Sequence, residues 1–304
     1  MPRPYRNPSL TPRSARLSAP RSGNRDLRGR ARHEAARPLT ARAAVRARTM
    51  LAAMLCAMAG MAEAAGTEPD PDRWHVVASP YLWAASLRGH ADVAGRRADF
   101  HLPFSTIFDD LDFSFMGNVE ATNGRYGFYL DNVYTNLGQR NAIDGVSTHA
   151  RLRANWLTAG AFMRVYEQAL GGDTLAGTPR VFAVEPTAGL RWTSMHGALD
   201  SPIGDASSRV NWTDPFVGLR VQADLDERWN LSAEADIGGF GVGSRLSANG
   251  QAYLGYRVRL FGYDTMLRLG YRALYQDYRE HTDYGRAKWA NTLQGPVAGL
   301  SVRF

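Results

Sequence analysis

The feature that most constrains the fold is a regular alternation of apolar and polar side chains, which recurs in short segments from Trp74 onward. It is clearest over 251–260, where the even-numbered residues are apolar and the odd-numbered ones include Arg257 and Arg259. A period of two predicts a β-strand with one face on each side of a sheet. Charged residues recur on the second face in strand after strand. A soluble sandwich buries its inner face in an apolar core, whereas a transmembrane barrel gives the apolar face to lipid and the polar face to the lumen.

The number of alternating segments predicts the size of the barrel. Eleven segments can be counted from residue 74 to residue 304, but a closed, all-antiparallel barrel with adjacent termini needs an even number of strands. We therefore predict an all-β chain that forms a single closed antiparallel transmembrane β-barrel of about 12 strands, with ten as the next choice and a range of 8–12. Short turns are predicted at 123–125, 224–228 and 260–264, and long external loops near 138–147, 196–208, 238–248 and 279–290.

The N-terminal part of the chain has a different composition. Residues 1–50 contain 13 arginines against Asp26 and Glu34, so the rest of the chain carries a net charge of −4 although the whole chain carries +7. A stretch rich in Arg, Pro, Ser and Ala cannot bury enough apolar surface to fold, which predicts disorder over 1–41. An over-extended start site explains this segment better than a nucleic-acid-binding arm, because an export signal follows it.

Residues 42–64 have the three parts of a secretory signal peptide. Three arginines precede the apolar run Met50–Met61, and Ala62 and Ala64 supply the small residues of a cleavage site. The sequence thus predicts an extension at 1–41, a signal peptide at 42–64, a linker at 65–73 and a barrel at 74–304. The single cysteine falls within the signal peptide, which excludes a disulfide scaffold in the mature chain.

The alternation continues to the final residue, with Ala298, Leu300, Val302 and Phe304 on one face. This strand resembles the C-terminal signal of Gram-negative outer-membrane proteins, in which alternate apolar residues end in an aromatic. The resemblance implies recognition by the barrel-assembly machinery, with Leu300, Val302 and Phe304 as the assembly signal.

Three other stretches also carry a family resemblance, namely 79–89, 102–117 and 236–244. Together they resemble a widespread group of proteobacterial outer-membrane barrel proteins, similar to the small OmpA-, OmpW- and porin-like barrels. The resemblance implies the fold and an outer-membrane location. It brings no activity and no catalytic residues.

Several charged side chains are predicted to line the lumen. These candidates are Arg220, Glu234, Asp236, Arg257, Arg259, Arg268 and Arg272. If they form ion pairs with one another and with nearby acids, they fill and rigidify a narrow barrel. If the arginines face open water, they form an anion-attracting wall of the kind found in anion pores.

The tryptophans are predicted to form girdles at the two membrane interfaces, because most of them fall near the ends of predicted strands. The residues concerned are Trp74, Trp83, Trp156, Trp192, Trp229 and Trp289. A carbohydrate-stacking track in the lumen is the alternative interpretation.

Catalytic and metal sites are only weakly indicated. The sequence has no GxSxG or HExxH motif. Ser147 with His149, or Ser194 with His196, could form a dyad at the barrel rim, and the acids within 109–112 could bind a divalent cation. Ordinary loop residues explain both patterns better. We therefore predict no cofactor, no metal and no enzymatic activity.

The sequence predicts an integral outer-membrane barrel that is exported through the inner membrane and is either a narrow pore for small solutes or a structural barrel. Its expected partners are outer-membrane lipid, lipopolysaccharide and, during biogenesis, the barrel-assembly machinery, and nucleic acid is not expected. A rim enzyme acting on lipid or peptide is the main alternative. An exported lipocalin-type barrel is the third, but that fold would have an apolar interior. The oligomeric state and the solute are not predicted.

Overall fold

A computed structural model describes residues 74–93, 96–143, 146–200, 204, 206–282 and 285–304. The predicted extension, signal peptide and linker, with the cleavage residues Ala62 and Ala64, lie outside the described residues. No helix among the described residues is long and apolar enough to cross a membrane.

The described chain contains thirteen strands and one short helix. The strands that begin before residue 150 are β1 (His75–Trp83), β2 (Ser86–Val93), β3 (Arg96–Leu102), β4 (Leu111–Thr122), β5 (Tyr126–Ile143) and β6 (Val146–Met163). The others are β7 (Tyr166–Asp173), β8 (Pro179–Asp200), β9 (Ala206–Asp224), β10 (Trp229–Gly238), β11 (Leu246–Leu260), β12 (Tyr263–Thr282) and β13 (Gly285–Arg303). The helix α1 (Phe104–Asp109) lies between β3 and β4.

Ten strands pair in an antiparallel ring, in the order β1-β4-β5-β6-β8-β9-β10-β11-β12-β13, and β13 pairs with β1 to close it. A closed ring leaves no unpaired sheet edge, so each of its ten strands has a backbone partner on both sides. The prediction of a closed antiparallel barrel is confirmed; the ring has ten strands, the second choice within the predicted range of 8–12, rather than the twelve that were preferred.

The other three strands continue barrel strands beyond a break. Both β1 and β2 pair with β13, and both β6 and β7 pair with β8, so each couple occupies one position in the ring. In the same way β3 and β4 share one position in the ring, because β3 pairs with β2 and β4 pairs with β1. The helix α1 separates these two strands. The strand count was wrong because periodicity marks a strand without showing which neighbour it pairs with.

The two ends of the barrel differ. The termini end carries His75 and Phe304 and the connections at 123–125, 174–178, 225–228 and 261–262, which include all three predicted short turns. At the far end the predicted loops at 138–147 and 279–290 are wrong, because β5, β6, β12 and β13 continue as paired strands through most of those ranges. Polar residues there pair with each other as hairpins, and their polarity resembled that of a loop. The predicted loop at 238–248 is present between β10 and β11.

The alternation divides the wall as the sequence predicts. Leu254 is 42% exposed on the outside, whereas its neighbour Tyr253 is buried in the lumen. Leu254 pairs with Leu231 on one side and Leu269 on the other, so three leucines form a continuous outward row. The outside of the barrel is therefore apolar along its middle, and the polar side chains of the same strands point inward.

Candidate functional site

The lumen is the candidate site, because the predicted charged residues lie there. Arg220 on β9 reaches across to Glu120 on β4, with 2.9 Å between Nη2 and Oε2. Its Nε also lies 3.8 Å from Oε2 of Glu185, and its guanidinium stacks 4.0 Å from the ring centre of Phe162. Because β4 and β9 are four positions apart in the ten-stranded ring, this group bridges the lumen.

A second bridge involves Arg272 on β12. Its Nη1 donates to Oδ1 of Asp131 at 3.0 Å and to the hydroxyl of Tyr81 at 2.9 Å, and its Nε donates to Oδ1 of Asn249 at 3.1 Å. The guanidinium also lies 5.0 Å from the ring of Trp83. Arg272 and Asp131 are again four positions apart in the ring, so their ion pair ties opposite walls together.

A third group is fully buried and centres on Asp236. Nη2 of Arg191 donates to both carboxylate oxygens of Asp236, at 2.8 and 2.9 Å, while Nη1 donates to Ser247 at 2.9 Å. Asn249 donates to the same carboxylate at 3.0 Å. The side chains of Arg191 and Asp236 are 1% and 0% exposed. Arg191 was missing from the predicted set, although its odd position in an alternating strand already placed it on the inward face.

An apolar and aromatic cluster fills the lumen beyond these ion pairs. It comprises Tyr81, Trp83, Ala85, Val133, Ala154, Trp156, Tyr253, Leu274, Leu293 and Val297. Nε1 of Trp156 donates to Oε1 of Gln276 at 2.9 Å, and Gln276 donates to Thr193 at 2.9 Å. Trp156 and Gln276 lie on β6 and β12, directly opposite in the ring. We call the ten residues of the apolar and aromatic cluster the aromatic plug.

The aromatic plug corrects part of the predicted girdle. Trp83 and Trp156 were expected at the membrane interfaces, but both are buried inside the lumen. By contrast, Trp74, Trp192 and Trp229 are exposed large aromatics, as a girdle requires. Position near a strand end does not show which face a side chain occupies, and the alternation within each strand would have placed Trp156 inward.

Two of the remaining lumen candidates, Arg257 and Arg259, lie towards the termini end. Arg257 pairs with Asp224, which also accepts a hydrogen bond from Asn230 at 2.9 Å. Arg259 pairs with Asp264 at 3.3 Å, but its side chain is 58% exposed. Arg259 therefore sits at the mouth of the barrel rather than in its interior.

A small cavity separates the bridges from one another. Its volume is about 70 Å³, which gives space for a few water molecules. Its lining includes Glu234, which accepts a hydrogen bond from Gln251 at 3.0 Å, and Arg268, whose guanidinium stacks 4.2 Å from the ring of Tyr253. The cavity is lined mainly by polar side chains, so ordered water is its natural content.

The predicted assembly residues lie where the barrel closes. Val302 pairs with Ala78 on β1 and with Thr265 on β12, and it is buried. The backbone N–H of Phe304 donates to the carbonyl of Val76 at 2.9 Å, and its ring contacts Tyr263. Leu300 lies on the same outward face. These contacts place the three residues in the seam, while their role in assembly stays a prediction.

The described residues do not form the catalytic dyads or the metal site that the sequence analysis considered as alternatives. Ser194 and His196 lie on the outer face of β8, and the side chains of Ser147 and His149 lie outside the described part of the chain. Within the described ranges, no group of three or more His, Cys, Asp or Glu residues is arranged to hold a metal ion. The predicted acids at 109–112 lie at the end of α1 and the start of β4.

No protein-family model matches the sequence, and no curated protein matches it. Among solved structures, the chain is similar to the outer membrane protease OmpT of Escherichia coli, with a TM-score of 0.42 and 12% identity over 80% of this chain and 99% of that one. It is also similar to Ail of Yersinia pestis, with a TM-score of 0.32 and 11% identity over 76% and 98% of the two chains. The outer membrane protein OprG of Pseudomonas aeruginosa gives a TM-score of 0.31 and 10% identity over 76% and 95%. At these levels of similarity, no activity of these proteins transfers to this chain.

Proposed function

We propose that this chain is an integral outer-membrane β-barrel with a closed lumen, which acts as a structural, non-enzymatic barrel. The outward face supports membrane insertion. It presents Leu231, Leu254 and Leu269 side by side, with Leu269 65% exposed. Soluble proteins rarely expose such a continuous apolar band, whereas lipid solvates it without cost.

The orientation follows from the two ends of the barrel. Outer-membrane barrels have short periplasmic turns, and their chain termini lie on the periplasmic side. The termini end is therefore periplasmic and the far end is extracellular. The predicted signal peptide supplies the export route that this location requires.

The observation that carries the closed lumen is the set of bridges between opposite walls. The pairs Arg220–Glu120 and Arg272–Asp131 cross the ring, and Trp156 bonds to Gln276 on the strand directly opposite. An anion-attracting wall needs arginines that face water. Here Arg191, Arg220, Arg257 and Arg272 are paired with carboxylates, so their charges are compensated locally, while Arg268 stacks on the ring of Tyr253. These side chains occupy the lumen.

Conductance across a planar lipid bilayer tests this proposal. If the lumen is closed as proposed, folded protein should insert and remain electrically silent, because the aromatic plug and the bridges would block the flow of ions. A variant with Trp83→Gly and Trp156→Gly removes two large rings of the plug and should give measurable steps. Mobility of unheated protein on a gel shows whether each sample is folded. Stable conductance steps from the folded wild type would overturn the closed lumen.

The pore hypothesis predicts instead that the wild type conducts ions with a defined selectivity. If the wild type conducts, it should prefer chloride to potassium, and Arg257→Glu with Arg268→Glu should shift the preference towards cations. For a closed barrel the same double substitution mainly destabilises, because a carboxylate in place of the Arg257 guanidinium would face Asp224. Hydrolysis of phospholipid or peptide by the folded wild type would instead favour the rim enzyme.

A further inference from the structure

A row of basic side chains lies on the outer wall near the far end. Arg153 on β6 pairs in register with His196 on β8, and His196 pairs with Arg209 on β9. All three point outward, because Ala154, Thr193 and Trp212, each an odd number of residues away along the same strand, are buried inside the barrel. We call these three residues the basic row.

The basic row is not neutralised by described protein groups. Arg153 and Arg209 are both exposed, and neither forms an ion pair among the described side chains. The described outward-facing acid on these three strands at this end is Asp200, and it pairs with Arg151. Arg153 and Arg209 lie two strands apart with no described acid between them, so their guanidinium groups are open to an anion from outside the described residues.

Two shielded polar atoms beside the basic row also lack partners. Nδ1 of His196 and Oδ1 of Asn136 are buried without a hydrogen bond. Asn136 pairs in register with Arg153, so it extends the row by one strand. Buried polar atoms of a folded protein normally have partners. Because these two atoms are shielded, a ligand reaches them only by displacing the groups that cover them. The directly accessible donors of the row are the two exposed guanidinium groups, and a phosphorylated sugar supplies acceptors for both.

The position of the basic row relative to the apolar band indicates which kind of ligand it would meet. On β8 the residues that follow on the same face towards the middle of the barrel are Ser194 and then Trp192, which is exposed. On β6 they are Asn155 and Leu157, the latter also exposed. The row thus lies four residues, or about 13 Å along a strand, from the first large apolar side chains. A polar layer lies between them, as at a membrane interface with an aromatic belt.

We propose that the basic row binds the phosphorylated sugar headgroup of a glycolipid in the outer leaflet, with Arg153 and Arg209 as the phosphate ligands. Arginine is suited to this role because its planar guanidinium forms paired hydrogen bonds with phosphate oxygens. The two arginines are separated by two strand spacings, about 10 Å, and their long side chains can converge on one headgroup. This inference rests on the proposed membrane location and deepens it.

Lipid binding to the folded, full-length barrel in detergent tests the proposal, with bound lipid measured by native mass spectrometry. The probes are lipid A with its phosphates, the same lipid A after phosphate removal, free pyrophosphate, and a sulfated oligosaccharide. The wild type should bind the phosphorylated lipid roughly tenfold or more tightly than the dephosphorylated one. Arg153→Gln with Arg209→Gln should abolish most of this preference.

A matched control removes two exposed arginines from turns at the other end, Arg125→Gln with Arg228→Gln, and should keep the wild-type preference. The proposal is overturned if the Arg153 and Arg209 double variant keeps the preference, or if the control loses it equally. It is also overturned if pyrophosphate or the sulfated oligosaccharide binds as tightly as lipid A. Insertion into vesicles is measured in parallel. A barrel that inserts without phosphate preference refutes the headgroup site alone, whereas failure to insert refutes the membrane location itself.

Discussion

The pair formed by Arg191 and Asp236 gives the sharpest test of how the lumen is stabilised. Arg191→Met removes the guanidinium and leaves a carboxylate with 0% exposure, whose remaining described donor is Asn249 at 3.0 Å. Asp236→Leu instead leaves a buried guanidinium against Ser247 and the ring of Phe216. Removing one partner of a buried ion pair costs about 3–5 kcal/mol, because the other charge stays desolvated. Each single variant should lose about that much of the free energy of unfolding.

The double variant R191M/D236L should differ from the wild type by no more than about 1–2 kcal/mol, because both charges are replaced by apolar groups of similar size. The interaction energy from the double-mutant cycle is then about 4 kcal/mol or more in favour of the pair, because the two single costs sum to at least about 6 kcal/mol. Urea unfolding of the barrel in lipid vesicles, followed by tryptophan fluorescence and gel mobility, measures all four proteins.

A matched control is the exposed pair of Arg151 with Asp200, whose side chains are 45% and 40% exposed. Arg151→Met should cost no more than about 1 kcal/mol, because water screens such a pair. If the costs of R191M and D236L simply add in the double variant, the two side chains do not act as a desolvated pair. The argument for a lumen held by ionic bridges would then fail.

Three further outcomes are expected. Leu254→Arg should cost about 2–4 kcal/mol of folding free energy in a bilayer because it faces lipid, whereas Gln251→Arg in the lumen should cost far less, and equal costs would contradict the assigned faces. Phe304→Asp should leave export intact and slow insertion into the outer membrane, and an unchanged insertion rate in pulse-labelled cells would rule out the C-terminal signal. In the β9–β10 turn, hydrogen bonds from the backbone N–H groups of Trp229 and Arg228 hold the pKa of Asp226 below its usual 3.8. Asp226→Ala should therefore lower the free energy of unfolding at neutral pH, and this penalty should fade as the pH falls below about 4. Unfolding of the wild type and the variant in urea at a series of pH values measures it, and a penalty that does not change with pH would contradict the role of the Asp226 carboxylate.

The architecture was predictable from sequence as far as local geometry determines it. The alternation of side chains along a strand is a local property, so the outward position of Leu254 and the inward position of Arg272 both follow from it. The identity of each pairing partner is not local. The segments that became β1 and β2 both alternate correctly, yet only their shared pairing with β13 shows that they form one position in the ring.

The sequence predicted which kinds of side chain fill the lumen, but not which side chains contact each other there. Inward charges were expected at Arg220 and Asp236, but their partners come from strands far away in the sequence, such as Glu120, which is 100 residues from Arg220. Periodicity cannot choose among several inward acids. Trp83 was placed in a girdle because it ends a strand, and only the packed structure shows that its ring fills the lumen.

The closure of the ring also has a kinetic consequence. The first strand pairs with the last, and Ser79 contacts Ser301 across 222 residues of sequence. The bridge between Arg272 and Asp131 spans 141 residues. Contacts of such long range form late and slowly, because a large loop must be ordered before any of them contributes. The ionic bridges therefore cannot stabilise a partly built sheet, and they secure the barrel mainly by slowing its opening once the seam has formed.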